Sequence, residues 1–221
     1  RGTYSAFSES GTSYTDAVSG KTVTTGFEHI KELGVNVIQI IPIFDNDNNE
    51  SEMTFNWGYN PTNYNWLEGG YSTDPFDGYA RIKEFKQLVY NYATNGNNTR
   101  VIMDVVYNHV SSAANSNFTK IMPKYYFRYD KNWNYMAGSG CANEVRTEAP
   151  MMSKFIVESV LWWAKEYKIK GFRFDLMGLI DTETMRAVKD TLYAYDKDIV
   201  VWGEGWGGYA GYGGINNSFT Q

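Results

Sequence analysis

Two acidic residues stand where apolar runs stop. Asp175 ends Gly171-Phe172-Arg173-Phe174-Asp175, and Glu204 follows Ile199-Val200-Val201-Trp202 after one glycine. Both runs are short and apolar, as strands are. Side chains alternate along a strand, so Phe172 and Phe174 share one face and Arg173 and Asp175 share the other. An Arg and an Asp on an inward face are costly unless they are paired or functional. On that pattern alone, a structural ion pair and a reactive site fit equally well. Glu204 taken alone reads as a solvated glutamate at a loop start. Taken together, two carboxylates at neighbouring strand ends facing one mouth are the minimum set for hydrolysing a glycosidic bond. One must be protonated while the other is ionised, and closeness favours that split.

Two further stretches bear on the same chemistry. Asp104-Val105-Val106-Tyr107-Asn108-His109 runs off the end of another apolar strand. His109 falls at the expected mouth, where it can donate to a sugar hydroxyl. It has no second His or Cys at ligand spacing, so a metal site is not indicated. The other histidine, His29, reads as surface or packing. Phe55-Asn56-Trp57-Gly58-Tyr59-Asn60-Pro61 packs aromatics into a polar loop. It is either a cluster that pins the loop or a stacking platform for a sugar ring.

The elements that must position these groups alternate strand and helix. A capping box at Thr25 and Glu28 opens a short helix that stops at Gly34. Strands are expected at 35–41, 101–106, 171–175 and 199–202. Helices are expected at 75–94, with Ile82, Phe85, Val89 and Tyr92 on one face, at 151–168, and at 182–193 with Asp181 as cap. Residues 42–74 and 107–150 read as long loops, and each comes directly after a strand. This order implies a parallel sheet with helical crossovers. Doubly wound sheets and (β/α)₈ barrels both fit. Polar residues gathered at strand ends favour the barrel, whose sites are built there.

Composition is consistent with this reading. The 221 residues are 43% hydrophobic and 20% charged, enough for a folded core. A net charge of −5 argues against nucleic acid as the main partner and is compatible with a neutral substrate. Aromatic content is 17%, with 18 Tyr and 7 Trp, which suits a cleft for sugar rings. Cys141 is the only cysteine, which excludes an internal disulfide. No apolar run approaches the ~20 residues of a membrane span. The chain starts at Arg1 without Met and reads as a piece of a longer protein, with no signal peptide visible and no cellular location indicated.

Asp104 to His109, Gly171 to Asp175 and Trp202 to Trp206, in that order and spacing, resemble three signature regions of the α-amylase superfamily, glycoside hydrolase family 13. The finer resemblance is to its type I pullulanases. It rests on Gly171-Phe172-Arg173-Phe174-Asp175-Leu176-Met177-Gly178 and on Gly203-Glu204-Gly205-Trp206. Residues 55–61 depart twice from that group's marker loop, with Phe55 for Tyr and Asn60 for Asp. The resemblance implies a partial (β/α)₈ barrel over residues 1–221, covering about strands two to five and incomplete at both ends. Residues 107–150 are then the loop after the third strand.

The resemblance also implies a debranching hydrolase acting on α-1,6 bonds of an α-glucan with retention. Asp175 is then the nucleophile and Glu204 the acid and base, about 5–5.5 Å apart. Arg173 would hold Asp175 ionised and oriented. Tyr59, His109, Trp57, Met177 and Trp206 would bind substrate, and Asp104 and Asn108 would be structural neighbours. No cofactor is required; calcium is compatible but not derivable. The family's third carboxylate, from its fourth signature region, is expected beyond Gln221. The alternatives are another α-glucan enzyme of the same family, or a non-catalytic glycan-binding barrel.

Overall fold

Four short β-branched or aromatic runs pair side by side and set the frame for everything else. The computed structural model describes residues 2–52 and 55–205. In chain order come α1 (Tyr4–Phe7), the hairpin β1 (Ser13–Thr15) and β2 (Thr22–Thr24), α2 (Gly26–Glu32), β3 (Val37–Ile40), β4 (Phe44–Asn46), β5 (Pro61–Leu67) and α3 (Gly78–Asn95). Next are β6 (Arg100–Val105), α4 (Asn117–Ile121), α5 (Pro150–Glu166), β7 (Gly171–Phe174), α6 (Thr182–Tyr195) and β8 (Val200–Gly203). The main sheet has the order β3-β6-β7-β8, all parallel. Each crossover therefore adds its strand to the same growing edge.

The two faces of this sheet differ sharply. Val101, Met103, Val105, Phe172 and Phe174 are buried to 1% exposure or less, in one core with Val160, Trp163 and Ala164 of α5. The opposite face carries Gln39, Asp104, Arg173, Val200 and Trp202, and Trp202 is 47% exposed. A doubly wound sheet has helices on both faces; here one face packs in the core with α5, and among the described residues the other leaves Gln39, Val200 and Trp202 exposed. This is a partial (β/α)₈ barrel, with the bare face as its interior side. The expected split of Phe172 and Phe174 from Arg173 is what is found.

Helix ends obey local chemistry. Asp181 accepts from the Thr184 N–H at 2.9 Å and Asp77 from the Tyr79 N–H at 2.9 Å, satisfying first-turn donors. Thr25 precedes α2 but makes no side-chain cap, so the expected capping box does not form. Glu28 turns instead to Lys31, 3.3 Å away. Ile82 is 39% exposed, and the buried face of α3 is Phe85, Leu88, Val89 and Tyr92.

The two long connections are more ordered than their composition suggests. Residues 42–74 contain the antiparallel pair β4 and β5. In β5 the buried residues are Pro61, Tyr64 and Leu67, a spacing of three. Register shifts on both sides of Asp45 break the two-residue alternation that would have revealed the strand. Residues 107–150 fold back on themselves through α4 and isolated bridges such as His109–Glu144 and Phe127–Val145. Arg128, 5% exposed, pins this loop. It reaches Glu148 at 2.8 Å, Thr147 Oγ1 at 3.1 Å and the Leu179 carbonyl at 3.0 Å. Among the described residues no helix is long and apolar enough to cross a membrane.

Among the described residues β3 and β8 each pair on one side only. Ile41 is 49% exposed, just past the end of β3, and Val200 is 37% exposed on the bare face. Unpaired edges and bare apolar faces drive association. Expressed by itself, this chain should therefore self-associate and lack enzymatic activity. Sedimentation velocity and thermal melting check this; a soluble monomer with a cooperative transition and glucan-cleaving activity would overturn it.

Candidate active site

Asp104, Arg173 and Trp202 occupy one register row across β6, β7 and β8. Paired residues of parallel strands share a face, so this row lies on the bare side of the sheet. Arg173 is its centre. Nη1 donates to both oxygens of Asp104, at 2.9 and 3.1 Å, and to Asp175 Oδ1 at 3.1 Å. Nη2 donates to Glu204 Oε2 at 3.2 Å. One guanidinium thus holds three carboxylates, and Asp175 and Glu204 lie within its span. Burial alone lowers the Arg173 pKa, but the hydrogen bond and charge of Asp104, with the charge of Asp175, outweigh it and raise it.

Asp175 sits just past β7, and its N–H donates to the Val105 carbonyl. Its second oxygen accepts from Asn108 Nδ2 at 2.9 Å, and the same amide donates to the Asp175 carbonyl at 2.8 Å. Asn108 Oδ1 lies 2.5 Å from His109 Nδ1. His109 is 1% exposed, and among the described residues its Nε2 makes no well-formed hydrogen bond. Burial pushes the imidazole pKa down; the Asp175 charge and, more weakly, the Tyr59 backbone pull it back.

Glu204 comes directly after β8 and is the more open carboxylate, its side chain 41% exposed. Besides Arg173, it accepts from the Leu176 N–H at 3.2 Å. That donor is aimed by an unusual backbone: Leu176 is left-handed, at φ 41° and ψ 47°. Such a conformation costs a non-glycine residue about 1–2 kcal/mol, and strain of this kind collects at functional sites. Gly203 is needed beside it. A Cβ there would lie 2.7 Å from the Phe174 carbonyl and 2.7 Å from Met177 Cβ.

Tyr59 reaches the cluster from the loop between β4 and β5. Its hydroxyl donates to Asp104 Oδ2 at 2.8 Å. Burial, then the Asp104 hydrogen bond and charge, raise its pKa. The loop is held by Gly58, at φ 82°, where a Cβ would meet the Pro42 carbonyl at 2.6 Å. Asp104 is 2% exposed, and burial raises its pKa while Arg173 and Tyr59 pull it down.

The structure brings together Asp175, Glu204, Arg173, Asp104, Asn108, His109 and Tyr59. Met177 packs beside Gly203, next to Glu204. Trp57 is 65% exposed and stacks on no other ring among the described residues. Trp206 lies outside the described residues. Sequence reasoning missed the Leu176 N–H, which only backbone geometry reveals, and Gln39, whose Nε2 lies 3.5 Å from Asp104. It also missed Asp45, Glu50 and Glu68, whose carboxylates gather within 4.8 Å as metal ligands can. Each of the three also has a polar partner. Glu68 accepts from the Gly70 and Asn46 N–H groups, Asp45 from Asn63, and Glu50 faces Arg81.

A model of the alpha-amylase catalytic domain matches residues 6–137, more than half of the chain. This chain belongs to the alpha-amylase family. Pullulanase of Bacillus subtilis (strain 168) is 36% identical over 209 residues, covering 93% of this chain and 28% of that protein. Pullulanase of Klebsiella aerogenes is 40% identical over 158 residues, covering 69% of this chain and 14% of that protein. The crystal structure of pullulanase from Paenibacillus barengoltzii, complexed with maltohexaose and alpha-cyclodextrin, is 45% identical. It matches with a TM-score of 0.86 over 93% of this chain and 32% of that one. The chain thus spans a third or less of these relatives. The family match includes Tyr59, Asp104, Asn108 and His109, whereas Asp175 and Glu204 lie after it.

His109 gives the site a testable pH signature. Its folded pKa is lowered below the ordinary 6.5. Between the two values the unfolded chain binds more protons, so stability rises with pH there. The stability associated with neutral His109 is present above 6.5 and is lost as pH falls through the lowered value. His109→Gln should flatten this part of the profile, read as denaturant midpoint against pH in the protein that carries this chain. An unchanged profile would mean that His109 titrates as it does in water.

Proposed function

We propose that the chain carries the catalytic pair of a starch-debranching glycosidase that cleaves α-1,6-glucosidic bonds in α-glucans with retention. The observation that carries this reading is the gathering of Asp175 and Glu204 by one guanidinium, at the carboxyl ends of adjacent parallel strands. Retaining hydrolysis needs a nucleophile and an acid on the two sides of one bond. The α-1,6 preference and the α-glucan class rest on likeness to the pullulanases.

The two carboxylates differ in a way that suits different tasks. Asp175 is 8% exposed, and each oxygen already accepts one hydrogen bond, from Arg173 and from Asn108. A side chain held at both oxygens is a well-oriented nucleophile. Among the described residues Glu204 is held at Oε2 alone, which leaves Oε1 to exchange a proton with a leaving group or water. In the first step Asp175 bonds to the anomeric carbon as the glycosidic oxygen departs with the proton of Glu204. In the second, Glu204 takes a proton from water, the water oxygen bonds to the same carbon, and Asp175 leaves. Two inversions give net retention. Arg173 serves the carboxylates, Nη1 donating to Asp104 and Asp175 and Nη2 to Glu204. In this reading Tyr59 and His109 contact the sugar being cleaved, and Trp57 and Met177 are further substrate-binding residues. This chemistry calls for no metal or cofactor.

Asp175→Asn, in the whole protein, should abolish turnover of pullulan and leave glucan binding within a few-fold of wild type. Product release is read by reducing ends and binding by calorimetry; near-normal turnover rules Asp175 out as nucleophile. Glu204→Gln should be nearly inactive on pullulan and much less impaired on an aryl glycoside whose leaving group needs no proton. Equal loss of the glycosylation step on both substrates speaks against the acid role.

A further inference from the structure

The turn that follows β7 holds Glu204 at both its carboxylate and its main chain. The Leu176 N–H donates to Glu204 Oε2 at 3.2 Å, and the Gly178 N–H donates to the Glu204 carbonyl at 3.3 Å. Such a turn must itself be braced, because Leu176 is left-handed at φ 41°. The brace comes from the 107–150 loop. Arg128 Nη1 donates to the Leu179 carbonyl at 3.0 Å, and Thr147 Oγ1 accepts from the Asp181 N–H at 3.0 Å. Arg128 Nη2 ties the two together, donating to the same Thr147 Oγ1 at 3.1 Å. Arg128, Thr147 and Leu179 are all buried, so water competes little for these bonds. Packing alone does not call for a cation here. Burying a guanidinium is costly, and an apolar side chain of similar volume often serves a core as well. The charge of Arg128 is balanced by Glu148 at 2.8 Å and Glu144 at 3.7 Å. What an apolar group could not do is grip a carbonyl and a hydroxyl from one rigid plane.

We propose that Arg128 is a positioning residue for Glu204: with Thr147 it fixes the 176–180 turn, and through the Leu176 and Gly178 N–H groups that turn sets where the Glu204 carboxyl stands against the leaving oxygen. This rests on the glycosidase reading for the role of Glu204. The nucleophile is held by other means. Asp175 takes its hydrogen bonds from Arg173 and Asn108, and its N–H goes to the Val105 carbonyl. The hydrogen bonds of Arg128 go to Leu179, Thr147 and Glu148, and none of these is a partner of Asp175. Loosening the brace should therefore disturb the acid and spare the nucleophile.

The test compares kcat/KM of the whole protein on pullulan, whose leaving oxygen needs a proton, and on an aryl α-glycoside whose nitrophenolate leaving group needs none. The ratio of the two cancels the fraction of folded enzyme, so a merely structural role leaves it unmoved. Arg128→Lys keeps a positive charge beside Glu144 and Glu148, but one ammonium cannot span the Leu179 carbonyl and Thr147 together. The expected result is a loss of about 10-fold on pullulan, the scale of one hydrogen bond, with the aryl glycoside within about twofold of wild type. An equal loss on both substrates, or no loss on pullulan, overturns the proposal. Thr147→Val cuts the same brace without touching a charge, and should move the ratio in the same direction. A ratio that Thr147→Val leaves unmoved also overturns the proposal, and this variant decides the matter if Arg128→Lys does not fold. Glu204→Gln is the reference. A ratio that moves in Glu204→Gln but not in the brace variants faults Arg128 alone. If Glu204→Gln leaves the ratio unmoved, or the wild type cleaves neither substrate, the glycosidase reading itself fails and the proposal falls with it.

Discussion

Arg173 places a single positive charge among Asp104, Asp175 and Glu204, and the site's geometry depends on that imbalance. Each carboxylate comes from the end of a different strand, so none can be positioned by its own element alone. The guanidinium fixes them relative to one another because its nitrogens lie in a rigid plane. Asp104 is nearly fully buried, burial raises its pKa, and Nη1 grips its two oxygens together. The exposed member, Glu204, gets one contact from Arg173 and one from the Leu176 backbone. Strength of pairing thus tracks burial, as desolvation demands.

Around this core the supporting residues work at one remove. Tyr59 completes the coordination of Asp104, and Asn108 completes that of Asp175. Gly58 and Gly203 matter for the side chain they lack: at each, a Cβ would strike a backbone carbonyl. Leu176 holds a backbone twist that a leucine rarely accepts, and its buried side chain, 9% exposed, anchors the twist in the core. The aromatic richness of the chain is mostly structural. Phe44, Tyr64, Tyr107, Trp163 and Tyr167 form one continuous set of ring contacts beneath the sheet.

Much of this was legible in the residue pattern, for a physical reason. Strand alternation separates Phe172 and Phe174 from Arg173 whatever the tertiary context, and short apolar runs between amphipathic helices admit few topologies. Asp175 and Glu204 stood out because charge at the end of an apolar strand is expensive. The parts that were not legible depend on non-periodic geometry. The β4–β5 pair hid behind bulges that turn a spacing of two into a spacing of three. Thr25 and Glu28 fit a capping box by type, yet Glu28 found a lysine closer to hand. Asp104 read as a structural neighbour, and only three-dimensional register revealed it as the partner that both Arg173 and Tyr59 share. The 107–150 segment read only as a long loop because its order comes from isolated bridges and from Arg128, one long side chain reaching across the fold.

The one-sided growth of the sheet, β3 then β6, β7 and β8, has a consequence for how the chain assembles. Asp104 arrives on β6, a carboxylate facing an interior with no cation on its own strand at that depth. Its counter-charge arrives only with β7, after the long excursion of residues 107–150 and the whole of α5. Without β7, burying β6 would leave an uncompensated charge, which desolvation disfavours. Pairing with β7 compensates Asp104, and Arg173 in turn reaches the end of β8. Glu204, immediately beyond β8, answers it. The residues that compose the site therefore also bind strand to strand: each charge is compensated only by an element beside its own.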